Sequence, residues 1–222
     1  MNTPLLTEPG IPRVAIHTKT DFPGVVALTP GNESLERRVI EMLVAKGRRR
    51  VGIIMACVEL SGTGIARAPL ISKLQEHGIE TRPEWTHAVA LEHPQGARNI
   101  AQLLMSAEYS RRPDALLILN DNLVPEATAG VAAAGVRVPE DADVIAHCNF
   151  PWPTPSAVPA RRIGCDTRAL LETCIGLIDD QRAGRDVPAM VSVPIQWEEE
   201  VAHAFTRAAG TTAREADLLT KT

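Results

Sequence analysis

The chain has 222 residues, of which 45% are hydrophobic and 3% aromatic, so it can form one large or two small domains with an aliphatic core. Lysine and arginine number 23 against 27 acidic residues, and this net charge of −4 gives no basic footprint for nucleic acid. No run of about 18 apolar residues predicts a membrane span. Because the start lacks a secretory signal pattern and the four cysteines form no Cys-x-x-Cys pair, we expect reduced thiols and a cytoplasmic protein.

Short β-rich segments alternate with helical patterns, an order typical of an α/β fold with a parallel sheet. The predicted strands are 13–17, 25–28, 51–56, 85–90, 116–119, 144–147, 162–164 and 190–195. The predicted helices are 32–45, one ending at Gly78, 95–109, one from Pro125 to Gly135, and one from Asp166 to Gly184. From about Glu198 onward the pattern decays into a polar segment that we expect to be mobile.

Two of the predicted strands end in polar residues. Asn120-Asp121 follows the strand 116–119, and His147-Cys148-Asn149 ends the strand that comes after the next helix. In an open parallel sheet, ligands bind outside the carboxyl ends of the strands. The sequence therefore predicts a crevice for a small molecule at this edge of the sheet.

Three segments carry a resemblance to a known family. They are Ala-Lys-Gly-Arg-Arg-Arg-Val-Gly-Ile-Ile at 45–54, Arg-Pro-Asp-Ala with a following Asn-Asp at 112–121, and Gly-Val-Arg-Val-Pro-Glu-Asp at 135–141. They resemble the ligand-binding domain of lactose/galactose-repressor-type transcription regulators, over roughly residues 10–200. The resemblance implies a three-layer lobe of the type I periplasmic-binding-protein-like fold, in which a small effector, often a sugar or a purine, binds between two lobes and switches a dimer.

The resemblance also implies a division of the chain. Residues 1–24 correspond to the end of a first lobe, 25–200 to the effector-binding second lobe with its crossover segment, and 201–222 to a flexible tail. No helix-turn-helix pattern fits before Val25, so we expect DNA contact only through a headpiece absent from this chain. A regulator fragment and a natural single-lobe protein both remain open. Because such a lobe leaves its apolar interlobe face uncovered, we expect self-association, with a homodimer as its form.

The polar residues 120–121 and 147–149, together called the polar corner below, include the first candidate ligand residues. Asn120 matches the family's asparagine that bonds a sugar hydroxyl or a purine, and its amide both donates and accepts. The alternative is that it caps the next helix. Cys148 stands where the family most often has an acidic residue, but a thiol bonds poorly, so a small buried side chain is the favoured interpretation. Asn149, beside it, is then the expected contact.

Three further candidates flank this corner. Trp152 follows in a proline-rich loop, where its indole can stack on a sugar ring or base, pack the loop, or contact a second subunit. Arg67 lies one position beyond the family's effector-pairing arginine, and we favour a solvated helix charge for it. Asp166 falls near a polar contact of the family, but a helix N-cap is the favoured role.

Neither catalysis nor a cofactor is expected. The chain has no Gly-x-Ser-x-Gly, phosphate-loop or His-Glu-x-x-His motif. A zinc site built from Cys57, His147, Cys148 and Cys165 follows no known ligand spacing, so we expect no metal. The second functional hypothesis is a stand-alone sugar-binding module without a DNA-binding role, which the missing signal peptide disfavours.

Overall fold

The computed structural model describes residues 8, 10–16, 22–57 and 67–201 of the chain. The strands are β1 (Arg13–Ile16), β2 (Val25–Pro30), β3 (Val51–Ala56), β4 (Thr86–Val89), β5 (Ala115–Ile118), β6 (Asp143–Phe150), β7 (Arg161–Asp166), β8 (Met190–Val193) and β9 (Ile195–Trp197). The helices are α1 (Asn32–Ala45), α2 (Arg67–Glu76), α3 (Gln95–Met105), α4 (Val124–Ala133) and α5 (Thr167–Arg182). Short 3-10 turns at Pro83–Trp85 and Asp121–Leu123 precede β4 and α4.

The strands form two sheets. The larger has the order β4-β3-β5-β6-β7-β9 and is parallel except for the β7–β9 pair. The smaller has the order β1-β2-β8 and is parallel throughout. The strand that starts at Val25 thus pairs with β1 and β8 rather than with the larger sheet.

Helices cover both faces of the larger sheet. Ile53, Leu117 and Ile145 pack into a core shared with α1, α2 and α5, whereas Leu116 and Val144 point into a second core under α3 and α4. Alternate residues of one strand therefore enter different cores, as expected for parallel strands that are buried on both faces. The predicted three-layer α/β lobe with a parallel sheet is confirmed.

Several boundaries differ from the sequence prediction, and three of the differences have a structural reason. The helix predicted over 95–109 ends at Met105, and Tyr109 instead accepts a hydrogen bond from Trp85 Nε1 at 3.0 Å. The strand predicted over 144–147 extends over Asp143–Phe150, because β7 pairs with its second half. The strand predicted over 190–195 is divided at Pro194, where the chain passes from the smaller sheet to the larger.

The expected decay of structure after Glu198 is wrong for the next few residues. Residues 198–201 are helical, and Glu200 accepts a hydrogen bond from the backbone N–H of Trp197 at 2.7 Å. Glu200 also pairs with Arg38 of α1, while Val201 packs against the end of β6. A capping carboxylate, an ion pair and an apolar contact thus hold this segment. The rest of the predicted tail, 202–222, lies outside the described residues.

The motifs that carry the family resemblance hold the amino ends of the strands together. Asp114 accepts hydrogen bonds from the backbone N–H groups of Arg49 at 3.0 Å and Arg50 at 2.9 Å. Asp143, with a side chain only 5% exposed, accepts from Lys46 Nζ at 2.5 Å and Arg48 Nε at 2.7 Å. These bonds join the approach to β3 to the starts of β5 and β6, at the edge opposite the polar corner.

Candidate functional site

The carboxyl ends of four neighbouring strands meet at one edge of the larger sheet. Cys57 follows β3, Asn120 follows β5, Asn149 lies near the end of β6, and Asp166 ends β7. Asn120, Asn149 and Asp166 are all half-buried, so each presents part of its polar side chain to this edge. The sheet thus brings together polar groups that are far apart in the sequence, in the place where parallel sheets bind ligands.

Asn120 has a structural partner on its oxygen side. Its Oδ1 accepts a hydrogen bond from the backbone N–H of Asn122 at 3.0 Å, which caps the 3-10 turn before α4. The capping role therefore uses the amide oxygen, and the amide nitrogen keeps its two donors. Contact between that nitrogen and a ligand stays a prediction.

Asn149 is joined to a residue that the sequence analysis did not select. Its Nδ2 donates a hydrogen bond to Oδ2 of Asp121 at 2.6 Å, across 28 residues of sequence. The bond connects the ends of β5 and β6, and its short length suits a carboxylate acceptor. The signal for Asp121 was its place beside Asn120, but the partner depends on which strands are neighbours.

Cys148 lies in an apolar cluster with Phe150 and Val201 and is 1% exposed. Burial raises the pKa of its thiol to about 11, while Arg162 lowers it and the carboxylates of Glu198 and Asp121 raise it further. The thiol is therefore neutral near pH 7 and presents neither a charge nor a strong hydrogen-bonding group to the edge.

Asp166 ends β7, and Trp152 follows β6 in the chain. Asp166 accepts hydrogen bonds from the backbone N–H groups of Arg168 at 2.9 Å and Ala169 at 3.4 Å, and so caps α5. Trp152 is 68% exposed. Its backbone N–H donates a hydrogen bond to the backbone oxygen of Asn149, and this turn holds Trp152 next to the end of β6. Arg67 begins α2, and its side chain lies outside the described residues.

Two larger depressions lie away from the carboxyl edge. A groove of about 800 Å³ runs between α1 and the end of α2, with Ile40 and Val44 among its lining residues. A cleft of about 400 Å³ lies beside Asp143 and Arg161, at the amino ends of β6 and β7. Neither is lined by Asn120, Asn149 or Asp166.

The described part of the chain gathers no group of three or more His, Cys, Asp or Glu side chains that could hold a metal ion. Cys165 lies in the core beneath α1 and α5, whereas Cys148 belongs to the separate cluster with Phe150. Within the same residues, no helix is both long enough and apolar enough to cross a membrane.

Comparison with known proteins gives one family and one curated relative. A family model described as a periplasmic binding protein-like domain matches residues 40–199. The HTH-type transcriptional repressor PurR of Erwinia tasmaniensis is 30% identical over 107 residues, which are 48% of this chain and 30% of the repressor. The chain thus spans less than a third of that relative's length.

Solved structures show the same fold. A LacI family transcriptional regulator from Bifidobacterium animalis superposes with a TM-score of 0.69 at 21% identity, covering 86% of this chain and 68% of that one. A LacI family regulator from Lactobacillus casei with bound sucrose gives 0.67 at 17% identity, covering 83% and 68%. A putative ribose operon repressor from Burkholderia thailandensis gives 0.64 at 22% identity, covering 83% and 67%.

Proposed function

The chain belongs to the family of periplasmic binding protein-like domains, and on that premise we propose that it is the effector-sensing part of a transcription regulator of the lactose-repressor type. Membership confirms the predicted periplasmic-binding-protein-like fold. The observation that carries the proposal is the polar corner, where half-buried Asn120 and Asn149 end two adjacent parallel strands. The relatives reported above are named as transcription regulators, which supports the same conclusion.

We assign the effector to the carboxyl edge. The amide nitrogen of Asn120 and the amide of Asn149 bond the hydroxyls of a sugar or the ring atoms of a purine, and the exposed indole of Trp152 stacks on its face. Cys148 supplies an apolar base beneath them. Asp166, which caps α5, and Arg67, at the start of α2, border the same edge.

Residues 25–200 form the second lobe in this proposal, and 1–24 contribute the end of a first lobe. The effector closes the crevice between the lobes and shifts a homodimer between two states, which requires different affinities for the two. DNA is contacted through a helix-turn-helix headpiece outside this lobe, and the regulator works in the cytoplasm.

A ligand screen tests the effector site. Glucose, ribose, sucrose, hypoxanthine and guanine are added at millimolar concentration, and the melting temperature is followed, since a ligand that binds only the folded state raises it. We expect at least one to raise it, and Asn149→Ala to weaken that ligand about tenfold, as loss of one good hydrogen bond does. The matched control is Asn122→Ala, an exposed asparagine whose side chain has no part in the proposed site. No shift with any of the five, or equal loss in both variants, contradicts the assignment.

The homodimer is tested separately by light scattering over a range of protein concentrations. We expect a mass of two chains, because a lobe that lacks its partner leaves apolar surface to cover. A single-chain mass at every concentration contradicts this part of the proposal.

A further inference from the structure

The hydrogen bond between Asn149 and Asp121 fixes more than the spacing of two strand ends. Nδ2 of Asn149 is used in the bond, so its Oδ1 lies on the other side of the amide plane and is left as an acceptor. Asp121 accepts through Oδ2, which leaves its Oδ1 as a second acceptor. Asn120 is oriented the opposite way, because its oxygen caps Asn122 and its nitrogen keeps its donors.

The end of β5 therefore contributes a negative charge to this edge beside that of Asp166 at the end of β7, whereas the end of β6 contributes none. The resemblance places the family's usual acidic residue at position 148, but Cys148 is buried among Phe150 and Val201 and is neutral near pH 7. Asp121 stands on the adjacent strand end, half-buried, and its field reaches the Cys148 thiol. Asp121 thus supplies a carboxylate at an edge where position 148 supplies none.

We propose that Asp121, held in place by Asn149, is the acidic specificity residue of the carboxyl edge and selects effectors that present hydroxyl or ammonium donors over phosphorylated ones. This inference rests on the proposed effector site. A carboxylate accepts hydrogen bonds from hydroxyls more strongly than a neutral oxygen does, attracts an ammonium group, and repels a phosphate. Besides its own proposed contact with the effector through Oδ1, Asn149 positions Asp121, since the bond from Nδ2 sets the direction of the free carboxylate oxygen.

Three related probes separate these effects. Glucose, glucosamine and glucose 6-phosphate share one ring and differ in carrying hydroxyls alone, an added ammonium, or an added phosphate. Their affinities are measured by calorimetry on the full chain near pH 7. We expect glucosamine to bind most tightly and glucose 6-phosphate most weakly, because only the phosphate adds a charge of the same sign as Asp121.

Variants then assign the preference to Asp121. In Asp121→Asn the ratio of glucosamine to glucose 6-phosphate affinity should fall about tenfold or more, the effect of losing one charge-assisted interaction. Asp121→Glu should keep the order of the three probes. Asp186→Asn removes the same charge from an exposed loop between α5 and β8, and it should leave the ratio unchanged. An unchanged melting temperature in each variant establishes that the fold is intact.

The outcomes distinguish the inference from the proposed function. If the chain binds one of the probes but Asp121→Asn keeps the original ratio, or if the unmodified chain prefers glucose 6-phosphate, the inference is overturned and the effector site stands. If none of the three binds while a ligand of the first screen does, the inference is overturned and the effector site stands; if no ligand of either set binds, both are overturned.

Discussion

At the scale of single residues, burial decides the chemistry of Cys148 and Cys165. Both thiols have pKa values raised to about 11, chiefly because burial disfavours the thiolate. Low accessibility and a neutral thiol both oppose reaction at either cysteine. Their role in this structure is to fill apolar space behind the polar corner.

The raised pKa of these thiols predicts a loss of stability in base. The unfolded chain ionises a cysteine near its ordinary value of 9.0, whereas the folded chain resists until about 11. The contribution of the neutral buried thiol to the free energy of unfolding is therefore complete below pH 9 and declines as the pH rises toward 11. Urea unfolding at about pH 8 and about pH 10 should show a smaller decline in Cys148→Ala than in the parent chain. Equal declines in both would contradict the assignment to Cys148.

Residue-scale chemistry was only partly predictable from the sequence. The change from an apolar run to polar residues located Asn120 and Asn149 at strand ends, because that pattern is local. The bond from Asn149 to Asp121 was not predictable, since it depends on β5 and β6 being neighbours and on the orientations of two side chains. Likewise, nothing in the sequence near Cys148 indicates that Val201 covers it.

At the scale of elements, the close contact between α3 and α4 depends on Gly130. A Cβ at this position would lie 2.2 Å from the backbone oxygen of Arg98 and 2.9 Å from the Cβ of Ala101. Small residues on both helices thus let their backbones approach closely. A helix-propensity argument would treat Gly130 as a weak point of α4, whereas the packing makes it a requirement.

Gly130→Ala should lower the free energy of unfolding by about 2 kcal/mol, because the cost of overpacking exceeds the gain in helix propensity. The matched control is Gly176→Ala in α5, where a Cβ meets no atom within 4 Å and the glycine is exposed. That variant should gain about 0.5–1 kcal/mol. Both values follow from urea unfolding, and a stabilised Gly130→Ala would refute the close approach.

At the scale of the whole molecule, the smaller sheet is tied to the rest by α5 and by the passage from β8 to β9. Gln181 near the end of α5 accepts a hydrogen bond from the backbone N–H of Arg13 at 2.8 Å and donates one to Arg13 O at 3.0 Å. The side-chain amide of Gln181 thus pairs with the backbone N–H and C=O of Arg13, as the backbone of a neighbouring strand would. The sequence order predicted both elements but not their contact, because the two residues are 168 positions apart.

Removal of this amide should loosen β1 alone. In Gln181→Ala, backbone amides of residues 13–16 should exchange with deuterium about tenfold faster, the effect of losing roughly 1 kcal/mol of local hydrogen bonding. Amides of β5 and β6 should keep their rates. Arg182→Ala, an exposed neighbour on the same helix, serves as the control. Faster exchange across both sheets would mean that they open as one unit.

The two edges of the larger sheet carry different sets of polar residues. Asp114 and Asp143 fasten the amino ends of the strands, while Asn120, Asp121 and Asn149 occupy the carboxyl ends. Substitutions at the carboxyl edge thus leave the fastening bonds of the scaffold in place. Under the proposed assignment of the effector to this edge, a library randomised at those three positions would vary recognition and keep the bonds of Asp114 and Asp143.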